Sequence, residues 1–290
     1  MRDYFLLGDG EYFRSFLDKN QLFYQLPLIN IEENLDTLNK NWKSCVSLKS
    51  DSYERKKSNF FRFFVWGTLS EKENQVNPSD AWGNYVLDYM VSSPMHLLFT
   101  REILLSYQKI FSFLFTLKRL QMQLNSFNKS FLGNSFIWQN KSQRCFFFDQ
   151  LLSYLQIDVI ESNYQNLLDQ ISNSNDFEMI KRMHENFVQM LLQQSLLASN
   201  TVIKIISKII SNSSSFSNLI RKIQSNPQLL QHSALITQLE NLNKDFLHHL
   251  SLLSTILTSK SKNYQISDPS QFILRLDFNG WISNMTKNEK

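Results

Sequence analysis

The sequence predicts a mainly all-α protein, an elongated multi-helix bundle with a small β-hairpin. Only six Gly and five Pro occur in 290 residues, which argues against the many tight turns of an all-β fold. Hydrophobic residues make up 42% of the chain, enough to build a substantial core. Several segments repeat apolar residues at alternating steps of three and four, the spacing of one helix face. We expect residues 1–290 to form one domain.

The N-terminal segment predicts two helices separated by a break at Gly8 and Gly10. The apolar face of the second helix is predicted to consist of Tyr12, Phe13, Phe16 and Leu17. A short helix is predicted between Asn30 and Trp42. The polar and basic stretch that begins at Cys45 is expected to be a surface loop, including Arg55, Lys56 and Lys57.

Two strands and a long central helix follow. Residues 60–66 and 82–91 have strand-like patterns and predict a β-hairpin. Thr100 is predicted to cap the central helix, with Glu102 near the positive end of its dipole. Its buried stripe is predicted to be Ile103, Tyr107, Ile110, Leu114 and Leu117, with Phe111 beside it. A second stripe is predicted to be left for solvent or a partner: Gln108, Ser112, Thr116, Arg119 and Gln123.

The C-terminal half predicts further helices. A helical pattern runs from beyond Gly133 to Ile171, and its carboxylates Asp158 and Glu161 are interpreted as a solvated face. Asn175 is predicted to cap the next helix, with Glu178 three residues later. Two more helices are predicted at 200–225 and 227–260, the second with Pro227 in its first turn. The serine cluster at 211–217 is expected to fray the first of them.

The sequence shows no sign of catalysis or of a cofactor. The five histidines are scattered, no phosphate-binding loop or hydrolase motif occurs, and we predict no catalytic, metal or cofactor residues. Two cysteines, Cys45 and Cys145, cannot build a disulfide framework or a zinc site, which favours a reducing compartment. The net charge of +4 is too balanced for a nucleic-acid footprint, and no apolar stretch reaches the ~18 residues of a membrane span. We therefore expect no nucleic-acid or membrane partner.

Three blocks of sequence together resemble a known family. The first spans the hairpin and central helix: Trp82, Tyr85, Tyr89, Val91, Pro94, Tyr107, Ile110, Phe111, Phe113, Leu114, Leu117, Lys118 and Arg119. The second is the opening segment Arg2 to Phe13, and the third is the closing Leu274, Arg275, Leu276, Asp277, Phe278 and Asn279. This pattern resembles the C-terminal domain of the gamma-tubulin complex proteins, with the family's N-terminal half expected to be absent.

The resemblance implies a function in building microtubules. Such domains hold gamma-tubulin, together with other gamma-tubulin complex components, so that a ring of them templates microtubule growth. It implies a location in the cytoplasm and cytoskeleton at a microtubule organising centre, such as a centrosome, basal body or spindle pole. The isolated chain is expected to be monomeric, because lateral assembly is attributed mainly to the N-terminal half. The competing interpretation is a helical tether or scaffold of a vesicle-tethering or other cytoskeletal complex, which would lack these sequence blocks.

The expected contact with gamma-tubulin lies in the opening and closing blocks. It consists of Gly8, Asp9, Gly10, Phe13, Arg275, Asp277 and Phe278. These segments combine turn-like exposure with aromatic and charged side chains that make good anchors. Two alternatives stay open, namely that Phe13 and Phe278 belong to the core and that Arg275 forms a structural ion pair with Asp277 or another carboxylate.

Overall fold

Helices dominate the described part of the chain, as the sequence predicts. The computed structural model describes residues 1–19, 31–47, 60–65, 85–127, 135–228, 233–261, 270–278 and 280. The helices are α1 (Arg2–Phe5), α2 (Gly10–Lys19), α3 (Ile31–Ser47), α4 (Arg101–Asn125), α5 (Ser135–Ser153), α6 (Ser162–Ser172), α7 (Phe177–Gln194), α8 (Asn200–Ser225), α9 (Ser233–Ser261) and α10 (Ser270–Leu276). A π-helical segment, Tyr154–Glu161, joins α5 to α6. The predicted hairpin is confirmed as the antiparallel strands β1 (Phe61–Val65) and β2 (Tyr85–Tyr89).

The chain forms two compact units. The first consists of residues 1–116 and 163–189, and the second of residues 117–162 and 190–290. Each unit buries its own apolar side chains. That residues 1–290 act as one functional domain stays a prediction.

An aromatic cluster forms the core of the first unit. All four residues of the predicted face of α2 are buried, which confirms that face. Trp42 of α3 is fully buried at the centre of the cluster. Its ring lies within 6 Å of five other rings, those of Tyr4, Tyr12, Phe13, Phe16 and Phe63. Such tilted and edge-on contacts add stability beyond the buried area alone.

Asn39 of α3 fixes the hairpin through hydrogen bonds to its backbone. Asn39 donates from Nδ2 to the Phe63 carbonyl at 3.1 Å, and the Phe63 N–H donates to Asn39 Oδ1 at 2.8 Å. The Asn39 amide thereby pairs the N–H and carbonyl of Phe63 on the edge of β1 that faces away from β2. Without it, that edge could pair with another strand. The sheet consequently has a fixed position over the aromatic cluster.

The central helix α4 confirms the predicted start and core. Thr100 Oγ1 accepts a hydrogen bond from the Ile103 N–H at 3.4 Å, and the helix begins at Arg101. Phe111 and Leu114 are fully buried, as predicted.

The polar stripe of α4 is not left for solvent, and that prediction is wrong. Gln108, Thr116, Arg119 and Gln123 are all buried. Gln108 donates to Asp88 of the hairpin at 3.3 Å, and Arg119 donates to Gln123 one turn further along at 3.5 Å. A polar stripe can be buried where its members find hydrogen-bond partners, and the spacing of residues does not reveal those partners.

Several predicted boundaries need correction. Helix α3 continues to Ser47, so residues 45–47 are helical rather than part of a loop. The rest of the predicted loop up to residue 59, with Arg55, Lys56 and Lys57, lies outside the described residues. The N-cap of α7 is Asp176 and not Asn175, because Asp176 Oδ1 accepts from the Glu178 N–H at 3.0 Å. Pro227 does not open the last long helix, since α9 begins at Ser233.

The serine cluster at 211–217 does not fray α8. The helix is continuous, and Ser213, Ser214 and Ser217 are buried. Small side chains allow a neighbouring helix to approach closely, and Asn212 Nδ2 donates to the Leu242 carbonyl of α9 at 3.0 Å. Ser213, Ser214 and Ser217 thus belong to the buried side of α8.

A buried arginine lies among three helices of the second unit. Arg144 of α5 is 0% exposed, and its guanidinium donates to the carbonyls of Asn140 and Leu242 and to Asn212 Oδ1 at 3.0 to 3.2 Å. It also lies over the rings of Phe216 and Phe246, at 4.3 and 4.5 Å from their centroids. Burial lowers the pKa of Arg144 to about 9, so the group remains charged at neutral pH.

His184 gives the first unit an acid-sensitive group. The Tyr107 hydroxyl lies 2.9 Å from His184 Nε2, and both side chains are buried. Burial lowers the pKa of His184 from 6.5 to about 4.

Stability should therefore fall between pH 6.5 and pH 4. In that window the unfolded chain binds a proton at this histidine while the folded chain does not, so acid favours unfolding by up to about 3 kcal/mol. We expect His184→Gln, which keeps a partner for Tyr107 but takes up no proton, to lose less stability over this range. Denaturant unfolding at several pH values measures the effect, with the exposed His248→Gln as control. An equal loss in the two variants would contradict the assignment.

Candidate partner-binding surface

The short helix α10 is anchored through its buried face. Phe272 and Leu276 lie one turn apart, and both are buried. The Phe272 ring is 5.3 Å from the ring of Tyr154 in the π-helical segment and 6.5 Å from that of Phe147. Because these contacts fix one side of α10, the opposite side is held facing solvent.

An ion pair ties α10 to the π-helical segment. Arg275 donates from Nε to Asp158 Oδ2 at 2.6 Å and from Nη2 to Asp158 Oδ1 at 2.9 Å. The hydrogen bonds to Asp158 raise the pKa of Arg275. The side chains keep 31% and 23% of their exposure, so the pair contributes little to stability but holds the planar guanidinium in one orientation.

Exposed apolar side chains lie next to both members of this ion pair in the sequence. Leu274 is 65% exposed and Phe278, one turn further along, is 89% exposed. Ile157, next to Asp158 in the sequence, is 57% exposed. We use the name α10 surface for the Arg275–Asp158 pair together with Ile157, Leu274 and Phe278. An oriented charge pair beside exposed aromatic and aliphatic side chains is typical of the residues that anchor a protein partner.

The predicted residues of the closing block occupy this surface in part. Phe278 is not a core residue, and Arg275 forms the structural ion pair that was one of the open alternatives. Its partner is Asp158 and not Asp277, so the interpretation of Asp158 as part of a solvated face is wrong. Asp277 is half-buried. The sequence did not place Asp158 and Ile157 beside the closing block because the segment 154–161 lies far along the chain from α10. Leu274 was named only as part of the closing block and not as a contact residue.

The opening turn uses its residues largely for local structure. Asp9 Oδ1 accepts from the Tyr12 N–H at 3.0 Å and so caps α2. The Gly8 N–H donates to the Arg2 carbonyl at 3.1 Å, and a Cβ on Gly8 would lie 3.1 Å from Arg2 Cγ. Gly8 is therefore favoured by a close backbone approach, while Gly10 has open space around it. Both glycines are exposed, so the backbone of this turn is accessible.

Phe13 lies inside the aromatic cluster. It is 0% exposed, and its ring is 5.7 Å from that of Trp42 and 6.2 Å from that of Phe111. A partner could reach this ring only if the cluster opened. The opening residues 8–13 belong to the first unit and the closing residues 275–278 to the second.

The described residues offer no group of three or more His, Cys, Asp or Glu side chains that could hold a metal ion. Among the helices of the described ranges, none combines the length and apolarity needed to cross a membrane.

The sequence matches a protein-family model over nearly its whole length. Residues 1–281 match the family described as "Gamma tubulin complex component C-terminal". The chain belongs to the gamma-tubulin complex component family. This match agrees with the resemblance of the opening, central and closing blocks.

Individual relatives carry names from the same complex. The chain is 30% identical over 307 residues to gamma-tubulin complex component 4 of Homo sapiens, covering 98% of this chain and 45% of that protein. It is 25% identical over 217 residues to gamma-tubulin complex component 3 of Homo sapiens, covering 69% of this chain and 23% of that protein. It is 22% identical over 163 residues to spindle pole body component alp4 of Schizosaccharomyces pombe, covering 51% of this chain and 21% of that protein.

These matches define what the chain shares with its family. It spans less than half the length of the component 4 protein, 45%. Each name describes a component of a complex or spindle pole body rather than a reaction, which agrees with the expectation of a protein that is not an enzyme.

Proposed function

We propose that the chain binds gamma-tubulin and positions it within a gamma-tubulin complex, beside other components, to template microtubule nucleation. The observation that carries this proposal is the family match over residues 1–281, supported by relatives named as components of the complex. The spindle pole body relative supports a cytoskeletal location at a microtubule organising centre. The sequence blocks that match the family argue against the competing helical tether.

The proposed mechanism is positional and needs no catalytic residue. Free tubulin subunits must lose translational and rotational freedom to form a nucleus, at a cost of several kcal/mol. A body with well-packed cores, such as the aromatic cluster around Trp42 and the helices around Arg144, holds its partner in a fixed place. Subunits held at the spacing of a microtubule have already lost that freedom, so nucleation becomes easier.

We place the principal contact on the α10 surface. Phe278 and Leu274 contribute little to the packing of the core, since most of each side chain is exposed. Burying such side chains against a partner would contribute the hydrophobic part of the affinity, and the Arg275–Asp158 pair would orient a polar group of the partner. The exposed backbone of the turn at Gly8, Asp9 and Gly10 is kept as a second contact, without Phe13.

We expect the double variant Leu274→Ser with Phe278→Ser to bind gamma-tubulin at least about 30-fold more weakly, because the loss of even one anchoring residue typically costs about 2 kcal/mol. Its thermal unfolding should not change, since neither side chain is buried. Leu252→Ser is the matched control, because Leu252 is 40% exposed in the same unit but lies on α9. Binding titrations with purified gamma-tubulin measure the difference. Unchanged affinity in the double variant would remove the α10 surface from the proposal.

A further inference from the structure

One face of α8 is a polar stripe that carries three lysines. Eight of the exposed and half-exposed positions of the helix follow steps of three and four along its length: Thr201, Lys204, Lys208, Ser211, Ser215, Asn218, Lys222 and Ser225. We name these residues the lysine face. Positions with this spacing lie on one side of a helix, so they form one band along it. The stripe carries no apolar side chain.

The lysine face carries positive charge that no carboxylate of the described residues pairs with. The 26 residues of α8 include no Asp or Glu. Within the described ranges, no carboxylate lies within 4 Å of the ammonium groups of Lys204, Lys208 or Lys222. Surface lysines on helices are commonly paired with a carboxylate three or four residues away on the same helix. The lysines of α8 have no such pairing, because the helix contains no carboxylate.

The N-terminal end of α8 adds to this positive potential. A helix N-terminus is stabilised by acidic side chains and disfavours cations. The first turn of α8 contains no acidic residue, and Lys204 lies near that end. The arrangement is unfavourable for the isolated helix and favourable for an incoming anion.

The opposite face of α8 keeps the lysine face in place. It is buried through Val202, Ile205, Ile206, Ile209, Ile210, Phe216, Leu219, Ile220 and Ile223. A helix packed over its whole length cannot roll to hide its polar side. The lysines therefore project from a fixed support, which lowers the entropic cost of binding.

We infer that the lysine face binds an acidic, extended segment of a partner protein, rich in Asp and Glu. From Thr201 to Ser225 the stripe is about 36 Å long at the rise of an α-helix. An extended segment of about ten residues covers that length. Its carboxylates would pair with the lysines, and the Ser, Thr and Asn side chains between them would donate hydrogen bonds. This contact is separate from the α10 surface and does not depend on it.

Other anionic partners fit the lysine face less well. Single-stranded nucleic acid is bound by basic grooves with aromatic side chains for stacking, and this stripe has none. A membrane-surface helix inserts apolar side chains between the headgroups, and the apolar face of α8 is already buried in the protein.

The test uses a decaglutamate peptide and the chain of residues 1–290. We expect the triple variant Lys204→Gln, Lys208→Gln and Lys222→Gln to bind the peptide about tenfold more weakly, since each exposed ion pair contributes little and three are lost together. The affinity of the unmodified chain should fall as salt is added. The control variant, Lys40→Gln with Lys109→Gln and Lys244→Gln, removes the same charge from exposed positions on other helices. Both variants should unfold at the temperature of the unmodified chain.

Four results would overturn the inference. One is that the unmodified chain does not bind the peptide, and a second is that both triple variants lose affinity equally, which would indicate net charge alone. A third is that the lysine-face variant binds the peptide as well as the unmodified chain does. The fourth is that the lysine-face variant loses binding to an oligothymidylate or to phosphatidylserine vesicles more than to the peptide, which would identify a different class of partner.

Discussion

Replacing Arg144 with alanine should destabilise the second unit by about 3–5 kcal/mol, the range found when a large buried side chain is truncated. The guanidinium lies between the rings of Phe216 and Phe246, so its removal leaves a cavity between them. It also removes the hydrogen bonds that the guanidinium donates to the Asn140 carbonyl and to Asn212 Oδ1. A loss of this size is a large share of the total stability of a folded domain.

The control for Arg144 separates packing from charge. Arg144→Met keeps much of the side-chain volume but loses the hydrogen bonds and the buried charge, so we expect a smaller cost of about 1–3 kcal/mol. Lys244→Ala, on the exposed side of α9, should change stability by less than about 0.5 kcal/mol. The midpoints of urea unfolding measure the stability change of all three variants, provided that the free energy of unfolding depends on urea concentration with the same slope in each. An Arg144→Ala midpoint equal to that of Lys244→Ala would show that the buried cluster contributes nothing.

Trp42→Ala should have a similar effect on the first unit, about 3–5 kcal/mol. The indole is fully buried and lies against aromatic rings from α1, α2 and β1. Its removal leaves a cavity that several elements border, so the neighbouring rings cannot all move inward to fill it. The Tyr12 hydroxyl donates to the Trp42 carbonyl at 3.1 Å, and this backbone contact remains in the variant.

Trp42→Phe is the matched control, because it keeps an aromatic ring at the centre of the cluster. We expect it to cost clearly less than the alanine variant, and the exposed Lys43→Ala to cost almost nothing. Near-UV circular dichroism should lose much of its aromatic signal in Trp42→Ala while the far-UV helical signal is kept at low temperature. Equal unfolding midpoints for the alanine and phenylalanine variants would contradict a central packing role for Trp42.

The sequence predicted those features of the fold that depend on local periodicity. The buried face of α2, the start of α4 at Thr100, the two strands and the burial of Phe111 and Leu114 all follow from spacing within one element. The helix ends were less accurate, as the N-cap Asp176 and the start of α9 at Ser233 show. Neighbouring polar residues can each serve as a cap, and the tertiary contacts decide which one does.

The features that the sequence did not predict depend on distant partners. Asp158 and Arg275 are 117 residues apart, and no local pattern pairs them. Asn39 covers the edge of β1 from 24 residues away, and Gln108 is buried because Asp88 of the hairpin accepts its hydrogen bond. Of the candidate contact residues, Phe13 and Phe278 are both aromatic and both follow a turn or helix end. One is fully buried and the other almost fully exposed, which only the tertiary structure distinguishes.

The most direct test of the central claim is size-exclusion chromatography with light scattering, applied to residues 1–290 mixed with purified gamma-tubulin. We expect the isolated chain to elute as a monomer and the mixture to elute as a complex with one copy of each protein. Separate elution of the two proteins at micromolar concentration, with the chain shown to be folded and helical, would contradict the proposal that this domain binds gamma-tubulin.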